Sequence, residues 1–195
     1  MSTPRPPRWV FVGTVFVAHT ATRLFTARVG IPFRLESWST MAGVIAGAPF
    51  ASALGAMLSR LVLTLVASEG SQWAAGLGVL LTTGLAALFT ARGWLDIQRP
   101  SRLVASGVIM GIATTVFVLA FHMIGVEALP ASADTLPFRR ALGVALGVDG
   151  HALMIERLFL EVIDKTIAVI VATSVVTLLE DRFPWARRQV VGASA

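Results

Sequence analysis

Five apolar runs divide this chain, and their lengths decide most of what it can become. Residues 8–27, 39–66, 73–91, 103–124 and 157–179 carry few charges. A run of about 20 apolar residues is what an α-helix needs to cross a hydrocarbon core of roughly 30 Å. Inside such a core each backbone N–H and C=O must be satisfied within the protein, which for these runs means helix. With 55% hydrophobic and 14% charged residues and a mean hydropathy of +0.77, the chain is too apolar for an ordinary soluble domain, in which charged residues come to about 25%. The expected fold class is an all-α integral membrane protein forming one domain.

The runs are unequal. The first, 8–27, follows a short basic, Pro-rich start and is too long for the apolar core of a signal peptide, so it is read as a membrane helix. The second, 39–66, exceeds one span and has Gly47-Ala48-Pro49 in its middle. Proline removes a backbone donor and biases Ala48 away from helix. Two short helices joined at this break are expected in preference to one kinked helix, which makes a six-helix bundle; one kinked helix would make five. Between residues 125 and 156 lies the longest connection, with a short interfacial helix expected over 141–148. The bundle is taken as 8–182, with tails at 1–7 and 183–195.

Charge sets the orientation. Of the 16 basic residues 15 are arginine, and they gather at the ends of runs without forming a stripe. The net charge of +5 therefore points to positive-inside flanking and not to nucleic acid. With six spans and the N-terminus inside, Arg5, Arg8, Arg92, Arg99, Arg102, Arg182, Arg187 and Arg188 face inward, and Arg28, Arg34, Arg139 and Arg140 outward. Five spans with the N-terminus outside give the same split. Both place the C-terminus in the cytoplasm, with the chain in the cell membrane.

Chemistry is concentrated in Glu161-Val162-Ile163-Asp164-Lys165-Thr166, at the start of the last apolar run. Insertion scales charge roughly 2.5–3.5 kcal/mol for each Asp or Lys at the centre of a span, so this cluster needs a reason. Glu161 and Lys165 are i, i+4 neighbours, placed to pair on one helix. One reading is a satisfied pair near the outer interface; the other is a binding site. Asp164 has no equally evident local partner. Arg23 is expected to snorkel to the nearer interface, and Arg60 to snorkel or to bond backbone carbonyls. Thr14, Ala18 and Thr22 form a small-residue ridge that lets another helix approach. His19, His122 and His151 lie in separate segments without metal-ligand spacing, and there is no cysteine. No phosphate-binding lysine loop, paired-histidine metalloprotease motif or nucleophile elbow is present. The chain is read as a non-enzyme, with no cofactor and no metal.

Two stretches carry a resemblance. Ala46-Gly47-Ala48-Pro49-Phe50-Ala51-Ser52-Ala53-Leu54-Gly55-Ala56 is similar to a G-P-x-x-G-x-x-x-G passage between a second and third helix. Glu161-Val162-Ile163-Asp164-Lys165-Thr166-Ile167-Ala168-Val169-Ile170-Val171-Ala172 is similar to a last helix in which an Asp-Lys pair opens an aliphatic run. In both, and over most of its length, the chain resembles the substrate-binding S components of energy-coupling factor vitamin transporters. The resemblance implies capture of a small vitamin-like solute from the outer side. Transport would follow while docked on a transmembrane coupling protein driven by two cytosolic ATPases. It implies a solute site at Glu161, Asp164 and Lys165, His122 at its rim, Phe33 or Trp38 closing over an aromatic solute, and the connection after His122 as a second lid. The ridge that meets the coupling protein, A-x-x-x-A in the family, is here Thr14, Ala18 and Thr22. A sensor or scaffold domain passing a signal to a partner, and a small ion-coupled carrier, are the alternative functions.

Overall fold

A computed structural model describes residues 6–30, 35–67, 73–123 and 152–180. Among these residues the chain forms α1 (Arg8–Val29), α2 (Ser37–Ile45), α3 (Pro49–Ala67), α4 (Trp73–Ala91), α5 (Pro100–Met123) and α6 (Ala152–Glu180), with no strand. Four of these contain segments long and apolar enough to cross a membrane: Arg8–Val29, Pro49–Val66, Pro100–Ala120 and Ile155–Glu180. A shorter apolar stretch covers Gly76–Ala91 of α4. Residues 1–5 and 183–195 of the expected tails, Phe33 and the expected helix over 141–148 lie outside the described residues.

The break at residues 46–48 divides the second run as expected, but unequally. Gly47 takes φ 84°, a left-handed conformation that glycine adopts without steric penalty, and turns the chain. Pro49 then occupies the first position of α3, where its missing N–H would have had no intrahelical partner anyway. The proline starts a helix here instead of interrupting one. For that reason α3 is not short: its 19 residues reach about 28 Å, whereas the nine of α2 reach only about 14 Å. The last helix also differs from expectation. It begins at Ala152, several residues before Arg157, because Ala152-Leu153-Met154 are strong helix formers with no breaker after them. Asp164 therefore lies about 18 Å along α6, well past its start.

Contacts fix the directions of the helices. Thr20 of α1 shares a 2.7 Å hydroxyl hydrogen bond with Ser59 of α3. A methyl group added at Gly55 would meet Val15 at 3.1 Å. Residue numbers thus rise together, and α1 and α3 run the same way. The short α2 runs against both: Gly43 packs on Val15 and Ser52, while Glu36 reaches Arg23 and Arg60. Along α6, Leu35 meets Asp164 and Ser37 meets Lys165, so α2 and α6 are parallel.

The core sits around α2. Met41, Val44 and Ile45 are packed with Ala86, Phe89, Leu95, Leu103, Met110, Ala168, Val169, Ala172 and Val176. Large apolar side chains such as Val17, Phe25, Leu61, Leu65, Val116 and Leu178 point outward instead. Burying polar residues while exposing apolar ones suits a lipid surrounding. Hydroxyls on the helices mostly bond the carbonyl one turn earlier, as Thr83 does to Val79 (2.7 Å) and Thr166 to Val162 (2.7 Å). A hydroxyl satisfied in this way needs nothing from a neighbouring helix.

Helices α5 and α6 approach closely at Gly107-x-x-x-Gly111. A side chain at Gly107 would collide with the backbone of Thr166, and one at Gly111 with that of Val162 and with the Glu161 carbonyl oxygen at 2.8 Å. The spacing is the small-residue pattern that lets two membrane helices pack backbone to backbone. Gly111→Val is expected to destabilise the protein by roughly 1–3 kcal/mol. Gly84→Ala, where nothing lies within 4 Å, is expected to be neutral or slightly stabilising. Both are read from SDS titration of the purified protein in mixed micelles, and equal behaviour of the two variants would refute the close approach.

Candidate functional site: a buried charged cluster

Where α1 and α3 near their C-terminal ends and α2 begins, the directions of the helices collect charged side chains from four parts of the chain. Glu36, in the connector, is 3% exposed at its side chain. Its Oε1 receives Arg23 Nη1 from α1 at 3.3 Å and the Arg60 Nη2 of α3. Two guanidinium groups thus converge on one carboxylate oxygen. The arginines are not snorkelling to an interface: both side chains are largely buried, held by an acid that lies 13 residues from one and 24 from the other. Burial without such pairing would be prohibitive for either sign of charge.

The second half of the cluster is on α6. Lys165 Nζ donates to Asp164 Oδ2 at 2.8 Å and to Ser37 Oγ at 3.4 Å, and stands 3.4 Å from Glu161 Oε2. The i, i+4 pair read from the sequence is therefore present, but it is one part of a larger network. Asp164 also accepts the N–H of Leu35 at 2.6 Å through its other oxygen. Leu35 has φ 39°, uncommon for a residue with a branched side chain. The Asp164 carboxylate therefore pins the connector where its backbone is under strain, directly before Glu36 enters its arginine clamp. Further along, Arg157 Nη2 lies 3.9 Å from Glu161 Oε1. Asp164 and Lys165 are 5% and 8% exposed, which places them inside the bundle.

Below Arg23 by one helical turn is His19. It is 1% exposed, and neither ring nitrogen has a hydrogen-bond partner among the described residues. It lies on the buried side of α1, one turn from Arg23, whose guanidinium reaches Glu36. Burial of both nitrogens without partners is costly.

The remaining expected residues fall in different places. Trp38 is half-buried, packs on the core and donates its indole N–H to Thr22 Oγ1 at 3.0 Å. Thr22 is therefore engaged within the chain, Thr14 is exposed and Ala18 is half-buried. His122 belongs to the last turn of α5, about 16 Å along the axis from Gly111. Its side chain, like all of Phe33, lies outside the described residues. Glu36 is the member that sequence reasoning missed, and its only local signal is a charge next to an apolar run. No group of three or more His, Cys, Asp or Glu residues suited to a metal ion is found among the described residues. Comparison with protein-family models, curated proteins and solved structures finds no match for this chain.

Glu36→Leu removes the carboxylate on which two largely buried arginines converge, and is expected to cost roughly 3–5 kcal/mol of stability. Asp96→Asn alters a more exposed ion pair with Arg99, 4.0 Å long, and is expected to cost less than about 1 kcal/mol. Unfolding of both variants in mixed micelles checks the contrast.

Proposed function

We propose that this chain is the solute-capture subunit of a membrane transport system of the energy-coupling factor type, binding a small polar or zwitterionic solute at the charged cluster. The observation that carries the reading is the convergence of Arg23, Glu36, Arg60, Asp164 and Lys165 from α1, the connector, α3 and α6 into one buried network. Ionisable groups inside a membrane bundle usually mark solute or ion pathways. Both signs of charge are present side by side, so a zwitterion can be matched at each end. The Gly-Ala-Pro turn and the Asp-Lys pair, which carry the resemblance to S components, flank the same short helix α2 on two sides.

In this reading all six helices pass through the bilayer, with α2 and its connector making one discontinuous crossing, and the C-terminus is cytoplasmic in the cell membrane. Discontinuous helices are a recurrent way of building a solute site within a membrane. Asp164 and Lys165 contact the solute, Glu161 and Glu36 set their charge balance, and Trp38 offers a stacking surface. His122 and Phe33 belong to the outer rim. The face bearing Thr14 and Ala18 meets a coupling protein, and two cytosolic ATPases supply the energy. The chain itself catalyses nothing.

Purification from native membranes in a mild detergent, followed by mass spectrometry, tests the whole proposal. The expected result is co-purification of a coupling protein with an ATPase pair, and a small molecule retained by the wild type. Asp164→Ala and Lys165→Ala are each expected to reduce that retention at least ten-fold, or about 1.4 kcal/mol of binding. Unchanged retention in both variants would remove the pair from the site. Absence of any ATPase, together with a signalling partner, would favour the sensor function.

A further inference from the structure

We propose that His19 is a solute-contacting residue of this site, reading an uncharged part of the solute that offers one hydrogen-bond donor and one acceptor. The inference rests on the reading of the charged cluster as a solute site and adds a residue and a ligand chemistry to it.

The argument begins from hydrogen-bond accounting. Buried polar side-chain atoms nearly always have partners, and exceptions call for an explanation. Most hydroxyls in this bundle solve the problem inside their own helix, as Thr20 does with Phe16 and Thr115 with Gly111. The imidazole of His19 makes no such bond on α1. His19 is 1% exposed, and both Nδ1 and Nε2 are buried without partners. Position adds the second part of the argument. The buried residues of α1 are Val15, His19 and Thr26, one stripe that faces the bundle. Arg23, one turn above His19, engages Glu36, and Thr20 beside it engages Ser59. His19 thus lies on the buried side of α1, one turn beneath the charged cluster that Arg23 enters.

A neutral imidazole presents one N–H donor and one acceptor nitrogen. The complementary group is an amide, a lactam or a hydroxyl, held on a solute whose charged end occupies the Arg23–Glu36–Arg60 and Asp164–Lys165 pairs. Such a solute satisfies the two nitrogens at the moment it binds, so part of the cost of their burial is recovered on binding. A site that hydrogen-bonds a solute group in this way also rejects analogues lacking it, because the buried imidazole is then left unpaired.

Two measurements on the full chain in lipid nanodiscs test the inference. In the first, diethyl pyrocarbonate is added to wild-type protein, and acylation is located by peptide mass spectrometry. The expected result is modification of His19 despite its burial, faster by several-fold in Glu36→Gln, in which the clamp above it is weakened. In the second, the small molecules retained by wild type, His19→Phe and His19→Gln are compared, with thermal unfolding as the control for folding. His19→Phe removes both orphaned nitrogens and is expected to unfold no earlier than wild type while losing retention at least ten-fold. His19→Gln restores a donor and an acceptor and is expected to recover part of it. A His19 that stays unmodified in both proteins, or His19→Phe retaining the solute as wild type does, overturns the inference and leaves the charged cluster standing as a solute site. A wild type that retains no small molecule overturns the solute site and this inference with it.

Discussion

Everything in the central part of this bundle depends on the carboxylate of Glu36 being buried between two guanidinium groups. Charges taken out of water repay their desolvation only when the geometry of the pair is good and other hydrogen bonds complete it. Arg23 and Arg60 come from helices that run the same way, and one acid between them neutralises part of their mutual repulsion. The acid has to arrive from a third element, and it does so at the entrance to α2. The connector before it is drawn inward by Asp164, which accepts the Leu35 N–H. Pairing thus sets the depth of α2, and α2 in turn carries Met41, Val44 and Ile45 into the core.

A short helix at the centre has a cost and a use. Nine residues cannot span a bilayer, and the backbone on either side must find partners within the protein. Its C-terminal side does so through the turn: Ala46 donates to Ala42, Gly47 to Val44 and Ala48 to Gly43. The N-terminal side has one backbone bond, Trp38 to Leu35, and adds side chains to it, with Leu35 on Asp164 and Ser39 Oγ returned to the Glu36 carbonyl. The two ends are therefore held differently. One is fixed by local backbone bonds alone and the other also by ionisable groups, whose hold depends on charge state and on what competes for them.

Local features of this architecture were legible in the sequence, and those between spans were not. The apolar runs gave the helices, Pro49 gave the break, and i, i+4 spacing gave the Glu161–Lys165 pair, all from residues within a few positions of one another. Arg23 and Arg60 were misread because their partner is 13 and 24 residues away, in a connector whose charge looked like ordinary interfacial polarity. The Gly107–Gly111 spacing is visible in the sequence, yet its meaning depends on Thr166 and Val162 lying opposite. Asp164 shows the same limit: its backbone partner Leu35 is 129 residues away, and no periodicity links the two. The expected start of α6 at Arg157 is too late because charged Glu156 reads as the end of the long connection, whereas it lies within the helix.

Two populations of polar groups in this bundle have different consequences for the fold. Hydroxyls such as Thr83, Thr90 and Ser106 bond the preceding turn of their own helix and leave its rotation and depth undetermined. Charged groups cannot be satisfied in that way, since a helix has no free backbone partner for a carboxylate or a guanidinium in its interior. Some pair along one helix, as Lys165 does with Asp164 and Glu161, and those met from another element remove a degree of freedom between helices: Arg23 with Glu36 ties α1 to α2, Arg60 with Glu36 ties α3 to α2, and Lys165 with Ser37 ties α6 to α2. Three of the neighbours of α2 are positioned by the same few side chains. A solute that competes for those side chains necessarily acts on the packing of all three, which is how binding at one buried cluster becomes a change in the bundle as a whole.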